Sequence, residues 1–181
     1  MTFKRYKYFI VILLLCLLSI FNMLSNIYSK DISEYEIKAA LILKFPAFIE
    51  WPSEKFSSDS NNFIIYILGD DPFGNIFKSF SNEKIKNKNF IIKNADDVKQ
   101  IGVCHLIFIC DSKKEELKEI LDYLKTKQIL SVGESENFNK LGGIINFCYG
   151  SKGNIVFEIN QEAGKRAGLK ISSKLLGISK Q

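Results

Sequence analysis

Residues 103–133 read VCHLIFICDSKKEELKEILDYLKTKQILSVG. The first eight are apolar except for His105, the pattern of a strand covered on both faces. Residues 113–127 change period. Leu117, Ile120, Leu121 and Leu124 fall on one stripe and the charges fall outside it, which predicts an amphipathic helix. Residues 129–132 read as the next strand. Strand, helix and strand in one stretch make a crossover between parallel neighbours.

The same alternation extends outward in both directions. Residues 63–68 are a continuous apolar run. Residues 90–92 form a shorter one, and 144–147 read as another strand. Asp71 is an N-cap type with Pro72 behind it, so a short helix is expected over 73–80. Residues 96–100 and 137–141 read as single helical turns, and Gly142-Gly143 lets the chain turn into the next strand. The expected fold is α/β. It has three layers, with a mainly parallel twisted sheet of about six strands, helices on both faces and an antiparallel C-terminal hairpin.

The hairpin partner opens residues 154–174. Ile155, Phe157 and Ile159 alternate with Val156 and Glu158, and Gly150-Ser151-Lys152-Gly153 supplies the turn. Asn160 then caps a helix whose first turn holds Gln161 and Glu162. Gly168 stands near its stop, and Leu169, Ile171, Leu175 and Leu176 remain to pack the tail. The strand and tail are expected to close the sheet. At the other end, Ile37, Leu41, Phe45 and Phe48 recur at helical spacing behind a Ser33/Glu36 capping box. Pro46 removes a backbone donor, so this helix should kink or break near residues 42–46. Trp51 reads as a core anchor, with a ligand contact as the alternative.

The chain has 181 residues, with 25 basic and 20 acidic side chains. Lys4, Arg5 and Lys7 precede an apolar run over residues 9–24, and Ile27-Tyr28-Ser29 offers a cleavage site. That is a secretory signal over 1–29, too short for a membrane span of about 20 residues. An uncleaved anchor is the alternative. Residues 30–181 form a single domain with a net charge of about +2, which calls for no nucleic acid. Three cysteines remain beyond the signal: Cys104, Cys110 and Cys148. Cys104 and Cys110 sit at opposite ends of one strand, about 20 Å apart, too far to bond. Cys104–Cys148 is the remaining candidate disulfide.

In a parallel sheet, ligands favour the loops at the carboxyl ends of the strands. Those loops offer Asp70 and Asp71, Asp111 and Ser112, then Glu134 and Ser135. Asp70, Asp71 and Asp111 could hold Mg²⁺, as in a phospho-acceptor domain. Equally, Asp71 and Ser112 could be helix caps. His105 lies inside an apolar strand and reads as a satisfied structural histidine. Cys104 beside it would point to the opposite face, so the two make no metal pair. No zinc spacing, dinucleotide fingerprint or P-loop occurs, and no catalytic constellation or cofactor is implied. A thiol nucleophile at Cys110, activated by the following helix, is the enzymatic alternative. Lys165, Arg166, Lys170 and Lys174 gather positive charge in the tail. They are either a solvated helix end or a contact surface for an acidic or phosphate-bearing partner.

An ordered set of motifs carries a family resemblance. It comprises Phe48-Ile49-Glu50-Trp51-Pro52, Gly69-Asp70-Asp71-Pro72-Phe73-Gly74, Cys104-His105-Leu106-Ile107-Phe108-Ile109, and Leu130-Ser131-Val132-Gly133 with Gly142-Gly143. Phe157-Glu158-Ile159-Asn160 and the run from Ala167 through Leu176 complete it. Over residues 35–178 the chain resembles the YfiR family of exported bacterial regulators. Pro46 departs from the family pattern. Some relatives pair cysteines around Cys148; here no second cysteine follows in that loop, so that bridge is absent. The resemblance implies a periplasmic, non-enzymatic binding protein. It would restrain a membrane signalling enzyme of the diguanylate cyclase type by docking on its external sensor domain. The resemblance makes Glu158, Asn160, Lys170 and Ile171 the partner-binding residues and allows a homodimer. A periplasmic domain that binds a small ligand or metal through the acidic loops is the competing reading.

Overall fold

A computed structural model describes residues 33–53 and 61–180. The expected signal over 1–29 and most of the 53–62 loop lie outside the described residues. Strand β1 (Ile49–Glu50) stands apart from the main sheet. The apolar runs become β2 (Asn62–Leu68), β3 (Asn89–Ala95), β4 (Leu106–Ile109), β5 (Leu130–Gly133), β6 (Ile145–Tyr149) and β7 (Ile155–Ile159). Their order in space is β3-β2-β4-β5-β6-β7. Every pairing from β3 to β6 is parallel, and β6–β7 is an antiparallel hairpin. The expected turn closes it: Gly150 N–H donates to the Asn154 carbonyl at 2.8 Å, and Gly153 N–H to the Gly150 carbonyl at 2.9 Å.

Helix α1 (Glu34–Lys44) packs on one face of the sheet with α3 (Gln161–Arg166) and α4 (Ser173–Ile178). Their residues Ala39, Ile42, Ala163 and Leu175 share a core with Phe63, Ile65, Phe108 and Phe147. Helix α2 (Leu117–Leu124) covers the other face, where its four inward leucine and isoleucine side chains meet Ile107, Ile109 and Phe138. The three-layer α/β architecture is the one the sequence predicts. Each large apolar side chain taken fully out of water contributes about 1.5–3 kcal/mol, so these two cores hold the layers together.

Several elements differ from expectation. The first helix breaks at Pro46 as predicted, into a 3-10 turn over Phe45–Phe48. Its inward face is shifted, however. Ile37 is 37% exposed, while Lys38, Ala39, Ile42 and Leu43 are buried. The expected stripe counted one helical period across the break, and Phe45 and Phe48 lie beyond it. After the break the chain extends as β1 and pairs antiparallel with β8 (Lys170–Ile171), in register Ile49↔Ile171 and Glu50↔Lys170. The tail therefore makes a separate two-stranded ribbon instead of closing the main sheet.

The central strand is shorter than the apolar run, because residues 103–105 and Cys110 fall outside it. His105 is 2% exposed and replaces a ladder contact with its ring. Its Nδ1 accepts from Ile64 N–H at 2.9 Å, while the His105 backbone N–H donates to the Ile64 carbonyl at 2.9 Å. The ring stacks on Phe63 at 4.9 Å. This is the satisfied structural histidine that the sequence suggests. The following helix begins as a 3-10 segment, Asp111–Glu116, before α2 proper. The helix expected over 73–80 is a 3-10 segment over Ile76–Phe80.

Candidate functional site

Sequence reasoning points first to the carboxyl ends of β2 and β4, where the strand order reverses. The structure fills that seam with its own groups. Asp70 N–H donates to Ser112 Oγ at 2.9 Å. Gly69 has φ +97°, and a Cβ there would stand 2.5 Å from Ser112 Oγ. Asp71 is a cap: Oδ1 accepts from Phe73 N–H at 2.8 Å, and Oδ2 from Asn94 Nδ2 at 3.2 Å. Among the described residues no group of three or more His, Cys, Asp or Glu side chains is placed to hold a metal ion. Both oxygens of Asp71 are already used, by the Phe73 N–H and by the Asn94 side-chain amide.

A cleft of about 350 Å³ opens nearby, between the first turn of α1 and the carboxyl ends of β5 and β6. Asp111 lines it, with Glu34, Tyr35, Lys38, Glu134, Ser135, Asn146 and Tyr149 among its other walls. At its base Lys38 is 4% exposed, which a lone ammonium would not tolerate. Two carboxylates compensate. Lys38 Nζ donates to Glu34, one helical turn back, and to Glu134 Oε2 at 2.5 Å. The ammonium also lies 4.6 Å from the Tyr35 ring centroid, within cation–π range. Tyr149 Oη donates to Glu34 Oε2 at 2.7 Å, and Tyr35 Oη to Glu134 Oε1 at 3.4 Å.

These contacts set the local electrostatics. The hydrogen bond from Lys38 holds the Glu34 carboxyl below its usual value. Burial works against the charge on Lys38, yet hydrogen bonds to Glu134 and Glu34 outweigh it and raise its pKa. The Tyr35 phenol is raised, first by burial and then by the Glu134 charge.

Two lining residues leave polar atoms unused. Ser135 is 2% exposed and Asn146 is 8% exposed. Asn146 Nδ2 donates to the Ser135 carbonyl at 3.2 Å, which fixes the amide's orientation. Asn146 Oδ1 and Ser135 Oγ then have no hydrogen-bond partner among the described residues. A buried polar atom left unpaired costs about 1–3 kcal/mol.

The thiols answer two other expectations. Cys104, Cys110 and Cys148 are all free. The Cys104–Cys148 disulfide is thus excluded: Cys104 precedes β4, whereas Cys148 lies toward the far end of β6, with β5 between them. Cys104 Sγ instead contacts the Leu106 carbonyl at 3.2 Å. Burial pushes the Cys110 thiol up to about 12, with the charges of Glu134, Asp71 and Asp70 adding to it. A thiol held protonated by burial is a poor nucleophile, which speaks against the enzymatic alternative at Cys110.

The four C-terminal residues divide by role. Asn160 caps α3, with Oδ1 accepting from Ala163 N–H at 2.9 Å and Nδ2 donating to the Asn139 carbonyl at 2.7 Å. Ile171 packs against the core beside Gly164. Glu158 pairs with Lys180 at 3.0 Å on the surface. Lys170 faces Glu50 at 4.0 Å across the β1–β8 ribbon. Of the tail's other charges, Lys165 bonds Glu162 within α3 at 2.8 Å.

Sequence reading names Asp111, Glu134 and Ser135 at strand ends but misses Lys38, Asn146 and Tyr149. The available signal for Lys38 is its place four residues after Glu34 and four before Ile42, on the inward stripe. Nothing local marks Asn146, which looks like one polar residue in an apolar strand.

A family model described as YfiR/HmsC-like matches residues 35–180. No curated protein matches the chain.

Proposed function

The chain belongs to the YfiR/HmsC-like family, which groups periplasmic regulators of cyclic di-GMP signalling, and from that premise we propose that it restrains a membrane signalling enzyme of the diguanylate cyclase type. It does so by docking on the enzyme's external sensor domain and limiting its movement. The family is regulatory and not catalytic, and the restraint needs no chemistry from this chain. Among the described residues no helix is long and apolar enough to cross a membrane.

Family membership is the observation that carries this reading. The surface chemistry of the C-terminal corner supports it. The Lys170 and Glu50 side chains are 86% and 76% exposed and stand 4.0 Å apart, so water screens them and neither is held firmly. A partner's charges can compete for both. Lys170 and Glu158 are the direct contacts of this proposal, and Asn160 and Ile171 hold the corner in place.

The test is a pull-down from membranes with tagged chain lacking residues 1–29. A cyclase-type signalling enzyme should be recovered, and Lys170→Glu with Glu158→Arg should weaken recovery without lowering Tm. Recovery of abundant outer-membrane proteins alone would overturn the reading.

A further inference from the structure

We infer that the outer edge of β3 is a docking site for an extended segment of a partner protein in which acidic and apolar residues alternate. β3 ends the six-stranded sheet and meets only β2. Gly69 N–H donates to the Ala95 carbonyl at 2.9 Å, so the backbone of Ala95 faces β2. Successive residues of a strand turn their backbone groups to opposite sides, so those of Phe90, Ile92 and Asn94 face outward. Among the described residues no strand pairs with them. An edge left open over seven residues is a template for another chain. The opposite edge is treated differently. There the tail returns, and Lys180 N–H donates to the Phe157 carbonyl of β7 at 2.9 Å.

The two faces beside the edge specify what fits. On one face a groove of about 270 Å³ lies between β3 and the 3-10 segment Ile76–Phe80. Phe77, Phe90 and Ile92 line it together with Lys78. Apolar side chains at every second position of an added strand would enter this groove. On the other face Ile91 is 38% exposed, and the Lys93 ammonium lies 5.8 Å from the Tyr66 ring centroid. The intervening side chains of the added strand would meet that lysine. The charge selects their sign. Over residues 78–95 five lysines, Lys78, Lys84, Lys86, Lys88 and Lys93, stand against one carboxylate, Glu83, itself paired with Lys44 at 3.3 Å. Acidic residues complement that field. Asp96 and Asp97 follow the strand, so the acid belongs toward its amino end. A second copy of this chain fits less well. A two-fold pair centred on Ile92 would set the two Lys93 side chains diagonally opposed, about 7–8 Å apart. The surface lies at the sheet edge remote from β7, which carries Glu158, so its failure would leave the reading of the C-terminal corner untouched.

Fluorescence anisotropy with the chain lacking residues 1–29 tests it. The probe is a labelled peptide of alternating glutamate and valine. The controls are its lysine–valine counterpart and the glutamate–valine peptide N-methylated throughout. The probe should bind saturably at up to about 1 mM. The lysine–valine peptide should bind at least about tenfold more weakly, through repulsion. The N-methylated peptide keeps the charge but cannot donate to the outward carbonyls, and it too should bind at least about tenfold more weakly. Hydrogen exchange at the Ile92 and Asn94 amides should slow when the probe is bound. Lys78→Glu with Lys93→Glu should weaken binding about tenfold or more without lowering Tm, because both side chains are exposed. Absence of saturable binding by the probe overturns the proposal. So does binding that N-methylation leaves unchanged, which would be a contact of charge alone. A chain that sediments as a dimer and protects the Ile92 amide only in that dimer would give the edge to a second copy, and overturns it equally.

Discussion

The Lys38 ammonium and the Glu134 carboxylate meet at 2.5 Å although 96 residues separate them. The contact ties the first helix to the end of β5. Lys38 bonds Glu34 as well, so a charge drawn into the interior is compensated on two sides.

Removing that charge should cost more than the pair contributes. Lys38→Met leaves Glu134, whose side chain is 10% exposed, without a counter-charge. The expected loss is about 3 kcal/mol, roughly 10 °C in Tm. Denaturant unfolding checks it, and adding Glu34→Gln and Glu134→Gln to the variant should recover part of the loss. A loss below about 1 kcal/mol would mean that the buried charge is not held as described.

The neighbouring Lys38–Glu34 pair predicts a pH dependence. Glu34 has a folded pKa below its unfolded value of 4.5. Its contribution is therefore fully present above that value and lost as pH falls through the lower, folded pKa. Tm curves of the parent chain and Glu34→Gln should be separated near neutrality and converge under acid. Parallel curves down to pH 3 would contradict the assignment.

His105→Leu should leave Ile64 N–H buried without its acceptor, at a cost of about 2 kcal/mol. Hydrogen exchange reports the site directly. The Ile64 amide should exchange much faster in the variant while amides of β5 beyond Leu130 stay protected. An unchanged Ile64 rate would show that the ring does not hold the strand.

Thiol chemistry should separate the three cysteines. Cys104 and Cys110 are buried and the Cys110 thiol is raised to about 12, so neither should react with iodoacetamide in the native protein near neutral pH. Cys148, half-buried and also raised by burial and by Glu158, should react slowly. Unfolding without reductant should release three titratable thiols in the chain lacking its first 29 residues. Two missing thiols would restore the disulfide that the structure excludes.

Phe138 is fully buried against two glycines. A Cβ on Gly133 would lie 2.2 Å from its ring, and one on Gly143 would lie 2.1 Å away. Gly133→Ala should therefore cost about 2 kcal/mol through overpacking. Adding Phe138→Leu should return some of that cost, a non-additivity measurable by a double-mutant cycle. Strict additivity would indicate that the backbone, and not the ring, resists the methyl group.

The sequence alone determined the alternation of buried strands and amphipathic helices, the C-terminal hairpin, the cap at Asn160 and the break at Pro46. Each is a local effect: burial of an apolar face repeats with the period of its element, and caps and prolines act within a turn. The family resemblance also lay in local motifs. Only the tertiary structure decided that Lys38 goes inward while Ile37 stays half in water, that Ile49 pairs with Ile171, and that Ser112 closes the seam beside Asp70. It also brought Asn146 and Ser135 together at the base of one cleft. Such polar contacts join single residues far apart in the chain and leave no periodic trace, so which partner meets each one is settled when the layers pack.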